Sequence, residues 1–234
     1  MTVYFGLALF VCAICGYLLG SINTSLIVGK FYGVDVRQHG SGNAGTTNVL
    51  RTLGKKAAAF TFLGDFLKGI VACLAGSGLI SLGLLAFGAD VFGTVSNPAH
   101  VGLMAAGAFC VFGHNWPVYF GFKGGKGVLT SLSVLIMMGP VPALIALGFF
   151  IVIVALTRYI SLGSMLAALF LPTLVGVSSL FGVDFGVGAV ASYLAFCIPL
   201  ALLIVIRHHK NIVKLLNGTE NKLSFHKKKE ETEG

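Results

Sequence analysis

Residues 40–51 form a glycine-rich polar run, GSGNAGTTNVLR, in a chain that is otherwise mostly apolar. Gly40, Gly42 and Gly45 allow a tight turn that brings backbone N–H groups close to a ligand. The two threonines and the asparagine that follow can cap and begin a helix, and Arg51 lies one turn further on. Free N–H groups at a helix start attract anions, most often phosphate. The run therefore predicts a phosphate site.

Two later clusters carry residue types suited to the same task. Lys123 and Lys126 stand among glycines in KGGKG at 123–127, where two ammonium groups can neutralise phosphate. In RYISLGS at 158–164, Ser161 is predicted to cap the following helix, with Ser164 one turn later. Each cluster also has a plain structural interpretation, because lysines anchor membrane loops and serines cap helices.

A fourth cluster, RHHKN at 207–211, is followed by GTENK at 218–222. His208 and Asn211 are three residues apart and share one face of a helix. Arg207 and Lys210 have a structural alternative, since basic side chains extend from the end of a membrane helix towards water. That alternative does not explain the histidine, the asparagine or the GTENK stretch.

The composition indicates an integral membrane protein. Of the 234 residues, 56% are hydrophobic and 10% are charged, against about 25% charged in soluble domains. The apolar runs are long enough to cross about 30 Å of hydrocarbon. They lack the alternation of a barrel strand, so the predicted class is all-α. Nothing in this composition predicts nucleic-acid binding.

Positive charge decides the predicted topology. Apolar segments are expected at about 3–28, 57–87, 101–120, 162–181 and 185–206, with a helical hairpin at 128–157 broken by GPVP. With the amino terminus outside and seven transmembrane helices, all of the 16 basic residues except Lys68 fall on the cytoplasmic side. The carboxyl terminus is then cytoplasmic. One membrane domain is predicted over 1–225 and a charged, flexible tail over 226–234.

Asp65 and Lys68 are three residues apart on one face of the second segment. Charges inside a membrane segment are costly and pair with each other or face a cavity. An internal ion pair is the simpler interpretation, and a role facing the cavity is the alternative.

Several common chemistries are absent from the sequence. No histidine is followed five residues later by aspartate, the pairing of many glycerolipid acyltransferases, and no G-x-S-x-G elbow occurs. No cluster of carboxylates suggests a metal site. We therefore expect neither metal nor cofactor, and an enzyme with this sequence would act by positioning and charge stabilisation.

Together, the four clusters closely resemble the sequence motifs of the bacterial glycerol-3-phosphate acyltransferase family that uses acyl-phosphate. They also occur in the same order as in that family. The resemblance covers essentially the whole chain and implies seven membrane helices in the bacterial cytoplasmic (inner) membrane, with the site facing the cytoplasm. It implies transfer of a fatty acyl group from acyl-phosphate to the 1-hydroxyl of glycerol 3-phosphate, giving lysophosphatidic acid and phosphate for phospholipid biosynthesis. The implied partners are these substrates and membrane lipids, with no obligate protein partner.

The resemblance also implies the site residues. The expected catalytic residues are Ser41, Arg51, Lys126, His208 and Asn211. The expected substrate-binding residues are Gly40, Gly42, Asn43, Gly45, Thr47, Asn48, Lys123, Gly125, Ser161 and Ser164.

The choice within each lysine and serine pair stays open at this stage. The proton acceptor is either His208 or a substrate phosphate, and phosphate is favoured because no carboxylate is evident to orient the histidine. Two departures from the family stand out. Residues 86–100 look long, and the pair of His208 and His209 leaves the register of the fourth cluster open by one position.

A transporter of phosphate or organophosphate is the main alternative function, and a structural or lipid-binding protein is a second one. Carriers place their binding residues near the membrane midplane on broken helices, often within inverted repeats. The four clusters here lie at one predicted membrane face, and no internal repeat stands out. The sequence therefore favours an enzyme.

Overall fold

The computed structural model describes residues 3–88 and 97–223, and all regular structure in them is helical. Ten α-helices occur in this part of the chain: α1 Val3–Ser21, α2 Thr24–Phe31, α3 Thr46–Thr52, α4 Lys55–Phe87, α5 Pro98–Asn115, α6 Val128–Met138, α7 Pro140–Thr157, α8 Ile160–Leu180, α9 Val190–Arg207 and α10 His209–Leu216. The predicted all-helical class is confirmed. The predicted tail at 226–234 lies outside the described residues, as does most of the loop within 86–100.

Glycine, proline and asparagine set several helix boundaries. The segment expected at 3–28 is interrupted at Asn23, whose side chain accepts a hydrogen bond from the Leu26 N–H and caps α2. The segment at 128–157 consists of two helices, as predicted, because α6 ends at Met138 and α7 begins at Pro140, with Gly139 between them. Proline is favoured in a first helical turn, where its missing N–H has no partner to lose.

The helices pack as two groups joined by α6. Helices α1, α4 and α5 form the first group, and α7, α8 and α9 form the second. Glycine permits close contact in the first group, since a Cβ on Gly16 or Gly20 of α1 would collide with the backbone of α5. A continuous apolar core runs from Val111 of α5 through Val134 of α6 to Leu171 of α8.

Five helical stretches among the described residues are long and apolar enough to cross a membrane. They are Val3–Phe31, Lys55–Phe87, Pro140–Thr157, Ile160–Leu180 and Val190–Arg207. Helix α6 is also apolar but has only 11 residues, or about 16 Å at 1.5 Å per residue. The chain is therefore a multi-pass membrane protein.

Candidate active site

A cavity of about 330 Å³ opens between the two groups of helices. Its mouth is polar and is formed by the 40–51 loop, the turn before α6, the start of α8 and the segment around α10. Its inner limb is apolar and is lined by α6, α7, α8 and α9.

Asn48 organises the 40–51 loop from the inside. Its Oδ1 accepts the Ser41 N–H at 2.8 Å, and its Nδ2 donates to the carbonyls of Val36 and His39 at 2.7 and 3.0 Å. Gly40 has a φ of +61°, a left-handed conformation that favours glycine. The amide of Asn48 lines the cavity but is fully used in folding the loop, so the structure gives it a positioning role.

Arg51 extends from α3 to the cavity, where its Nη2 donates to the Asn221 carbonyl at 3.2 Å. Helix α3 has only seven residues, and no side chain caps its start at Gly45. The sequence interpretation attributed anion binding to a helix start. With so short a helix, side-chain charge is the stronger source of attraction.

Lys126 is brought into the cavity by the glycine turn before α6. The N–H groups of Gly124 and Gly125 donate to the carbonyls of Asn115 and His114 at 3.2 and 3.1 Å. Arg207 holds the other side of this turn, because its Nη2 donates to the Gly125 carbonyl at 2.8 Å. The Lys126 ammonium then donates to the Asn211 side chain.

A chain of hydrogen bonds joins this lysine to α8. Asn211 accepts from Lys126 and donates through Nδ2 to Glu220 Oε1 at 2.7 Å, and Ser161 Oγ donates to the same oxygen at 2.8 Å. Glu220 is not among the site residues that the sequence predicts. The GTENK stretch was the available signal, but only the fold shows that it crosses to α8.

The predicted capping role of Ser161 is wrong. Helix α8 begins at Ile160 with Tyr159 in the capping position, and no side chain caps it. Ser161 is the second helical residue and directs its hydroxyl to Glu220 instead. Ser164 lines the cavity one turn further along, with its hydroxyl bonded to the Ile160 carbonyl at 2.8 Å.

His208 lines the cavity at the junction of α9 and α10. Its Nδ1 lies 2.7 Å from the Ile204 carbonyl. A carbonyl oxygen only accepts, so Nδ1 carries the proton and Nε2 keeps its lone pair. Burial and, next in size, the nearby Lys126 lower the pKa of His208 to about 4. The sequence interpretation missed this backbone carbonyl as the group that orients the ring.

The mouth carries more positive than negative charge. Arg51 and Lys126 line it together with Glu220, and the second carboxylate that lines the cavity, Asp65, is paired with Lys68. Burial lowers the pKa of the Lys126 ammonium to about 8, Glu220 raises it, and Arg207 is the largest of the basic groups that lower it. The described residues contain no group of three metal-binding side chains. This arrangement suits an anionic ligand.

The inner limb is lined by small and aliphatic side chains. Ala143 and Ala146 come from α7, Leu171 from α8, and Cys197 and Leu200 from α9. Alanines on one wall leave room for a guest chain between the helices. A ligand that fits the whole cavity has an anionic head and a hydrocarbon tail.

Most of the predicted site residues line this one cavity. The residues that do so are Ser41, Asn43, Gly45, Thr47, Asn48, Arg51, Lys126, Ser161, Ser164, His208 and Asn211. Four others do not line it: Gly40, Gly42, Lys123 and Gly125. Lys123 is exposed, while Gly125 is buried between His114 and Ala44. Of the two lysines, the structure therefore brings only Lys126 to the cavity.

Comparison with known proteins points in one direction. The family model described as glycerol-3-phosphate acyltransferase matches residues 10–218. Curated proteins of that name are similar over most of the chain. One from Clostridioides difficile is 44% identical over 90% of this chain and 93% of its own length. One from Halalkalibacterium halodurans is 42% identical over 92% and 95%.

A solved structure is similar to the whole fold. It is the glycerol 3-phosphate form of PlsY (YgiH), an integral membrane glycerol 3-phosphate acyltransferase. The two chains are 38% identical with a TM-score of 0.73, over 93% of this chain and 96% of the other. A lysophosphatidic acid form of the same protein gives a TM-score of 0.71 at 37% identity.

Proposed function

We propose that this chain, which belongs to the glycerol-3-phosphate acyltransferase family, takes its acyl group from acyl-phosphate. The chain is an acyltransferase of phospholipid biosynthesis, and the proposal concerns its donor, acceptor atom and site. The acyl group passes to the 1-hydroxyl of glycerol 3-phosphate, giving lysophosphatidic acid and inorganic phosphate. The observation that carries the proposal is a cationic cavity mouth continuous with an apolar limb.

Charge neutralisation is the main catalytic effect in this proposal. The 1-hydroxyl oxygen forms a bond to the acyl carbonyl carbon, and the bond from that carbon to the phosphate oxygen then breaks. Arg51 and Lys126 stabilise the negative charge as phosphate leaves. Ser41 and Asn211 help to hold the phosphates, and the helices of the inner limb align the acyl chain with the hydroxyl.

The hydroxyl proton passes to a substrate phosphate in this mechanism. A general base works best with a pKa near the operating pH, and a phosphate monoester has a second pKa of about 6. Burial holds the pKa of His208 at about 4, so this ring is the weaker base. His208 instead accepts a hydrogen bond through Nε2 and fixes the acceptor molecule.

The same proposal includes the topology. Seven spans with the amino terminus outside place the site at the cytoplasmic face of a bacterial inner membrane. The link from Lys126 through Asn211 and Glu220 to Ser161 supports this, because it gathers the basic clusters at one end of the bundle. Residues 1–225 then form a single membrane domain, and the charged residues 226–234 follow it.

A reconstitution assay tests the donor. Purified protein in detergent, given acyl-phosphate and glycerol 3-phosphate, should form lysophosphatidic acid and phosphate in equal amounts. Two matched controls replace one substrate each: acyl-coenzyme A for acyl-phosphate, and glycerol for glycerol 3-phosphate. Both should give no product above the protein-free rate. Turnover with acyl-coenzyme A but not with acyl-phosphate would overturn the proposal.

A further inference from the structure

Three buried ionisable side chains lie at the wall of the cavity, and two of them, Asp65 and His114, line it. Asp65 and Lys68 belong to α4 and His114 to the end of α5, and at most 7% of each residue is exposed. The Lys68 ammonium lies 2.8 Å from Asp65 Oδ1, 2.9 Å from His114 Nδ1 and 3.0 Å from the Ile22 carbonyl. These three partners use all three of its protons.

This geometry fixes the state of the His114 ring. An ammonium group only donates, so His114 Nδ1 must accept and the neutral ring carries its proton on Nε2. Asp65 does not replace Lys68 as the partner, because its Oδ1 lies 3.7 Å from Nδ1, beyond hydrogen-bond distance. Asp65 Oδ1 is also approached by the Thr24 N–H at 3.3 Å. Lys68, itself paired with Asp65, thus holds the ring in one orientation.

The fixed ring packs against the glycine turn of the active site. A Cβ on Gly125 would collide with His114 Nε2 and would lie 2.6 Å from the Ala44 carbonyl. Gly125 therefore sits in a slot between the ring and the 40–51 loop. The Gly125 N–H donates to the His114 carbonyl at 3.1 Å. The next residue in the chain is Lys126, which reaches into the cavity.

We propose that Asp65, Lys68 and His114 form a positioning unit for Lys126. The unit holds the imidazole ring, the ring holds the Gly125 backbone, and that backbone sets where the Lys126 ammonium lies. The inference rests on the proposed function, since Lys126 is taken to act on a substrate phosphate. Small displacements of a catalytic group are costly, and about 1 Å can lower the rate on the order of 100-fold.

A double-mutant cycle with Lys126 tests the unit. His114→Asn keeps an acceptor near the Nδ1 position but removes the ring edge from Gly125. It should lower kcat/KM for lysophosphatidic acid formation on the order of 10- to 100-fold in the wild-type background. In the Lys126→Ala background the same change should lower it less than about threefold, because coupled residues are not additive.

Thr61→Val is the matched control. Thr61 is fully buried on α4, one turn before Asp65, and its hydroxyl bonds only its own helix, at the Ala57 carbonyl. Its replacement should change kcat/KM by no more than about twofold in either background. If His114→Asn does not fold, the double variant Asp65→Asn with Lys68→Met frees the ring without leaving an unpaired charge. Its loss of kcat/KM should likewise be large in the wild-type background and small in the Lys126→Ala background.

The outcomes separate the two proposals. An equal loss in both backgrounds, or no loss in the wild-type background, would overturn the positioning role while leaving acyl transfer intact. A folded wild-type protein with no turnover would overturn the proposed function and the positioning role with it. A loss confined to the background that retains Lys126 supports the unit.

Discussion

Two groups of charged side chains lie in this bundle, and they differ in charge balance. In the buried group, Lys68 is bonded to Asp65 and His114, and positive charge meets negative charge at 2.8 Å. At the cavity mouth, Arg51 and Lys126 are accompanied by Glu220, since Asp65, the other carboxylate lining the cavity, is paired with Lys68. The first group is complete without a ligand. The second is left with an excess of positive charge.

The difference identifies which group binds substrate. A buried charge without a partner is costly, so a folded protein either pairs it internally or keeps it for a ligand. The mouth is continuous with the apolar limb and leaves Arg51 and Lys126 for a ligand. In the buried group, Asp65 and His114 also line the cavity, but Lys68 already partners both. Loss of charge at the mouth should therefore affect activity, and loss in the buried group should affect folding first.

Arg51→Ala is expected to give the largest effect on activity. The variant removes one of the two cations lining the mouth, and loss of one transition-state donor lowers kcat on the order of 10²- to 10³-fold. Steady-state formation of lysophosphatidic acid measures it. Lys55→Ala is the matched control, because Lys55 is an exposed cation that begins the next helix and does not line the cavity. Wild-type rates for Arg51→Ala would remove the 40–51 loop from the mechanism.

Lys68→Met should destabilise the protein by disrupting the buried group of Asp65, Lys68 and His114. It leaves Asp65 buried without its ion-pair partner, a change that costs about 3–5 kcal/mol of stability. Thermal unfolding in detergent should show a clearly lowered midpoint. The double variant with Asp65→Asn removes both charges and should recover most of that loss. Equal destabilisation by the single and double variants would show that charge matching is not what stabilises this group.

The pH dependence of kcat/KM should test the role of the charged side chains at the cavity mouth. The pKa of Lys126 is lowered to about 8, with burial as the largest cause, while Glu220 raises it. The ammonium is charged below that pKa, so kcat/KM should fall as pH rises through about 8. Glu220→Gln keeps an acceptor for Asn211 and Ser161 but removes the charge that raises the pKa. The fall should then begin at lower pH.

The profile is measured with the protein-free hydrolysis of acyl-phosphate subtracted at each pH. An alkaline limb that stays in place in Glu220→Gln would show that another group controls it. Activity that remains flat above pH 8 in both proteins would remove the Lys126 charge from the rate-determining interaction.

The helices were largely predictable because the signals are local. Apolar runs and the Gly139–Pro140 junction gave the hairpin of α6 and α7 correctly. The break at Asn23 was missed, because small polar residues in an apolar run are also typical of helix packing. The start of α8 was missed by a shift of two residues, since Ser161 is a good cap in isolation but bonds to Glu220.

The site was predictable as four clusters but not as a set of contacts. Each cluster stands out from the apolar sequence around it. The contacts between clusters, however, join residues up to 170 positions apart along the chain, as the bond from Arg51 to Asn221 shows. The role of Asn48 in folding its own loop depends on the turn at Gly40. Whether Lys123 lines the cavity depends on how the turn before α6 packs against α5, which cannot be predicted from the local spacing of residues.

Lys123→Ala should give the smallest effect and tests whether position, not charge alone, defines the mouth. Lys123 and Lys126 occupy equivalent places in KGGKG, but Lys123 is exposed and lies outside the cavity. Its backbone carbonyl accepts from Arg37 at 3.3 Å, a contact that any side chain at 123 permits. Removal of an exposed side chain changes free energies by about 0.5 kcal/mol or less, so kcat/KM should stay within about twofold of wild type. Lys126→Ala, measured beside it, should lose far more. A comparable loss in both variants would mean that the excess charge acts at long range and that contact with the cavity is not what matters.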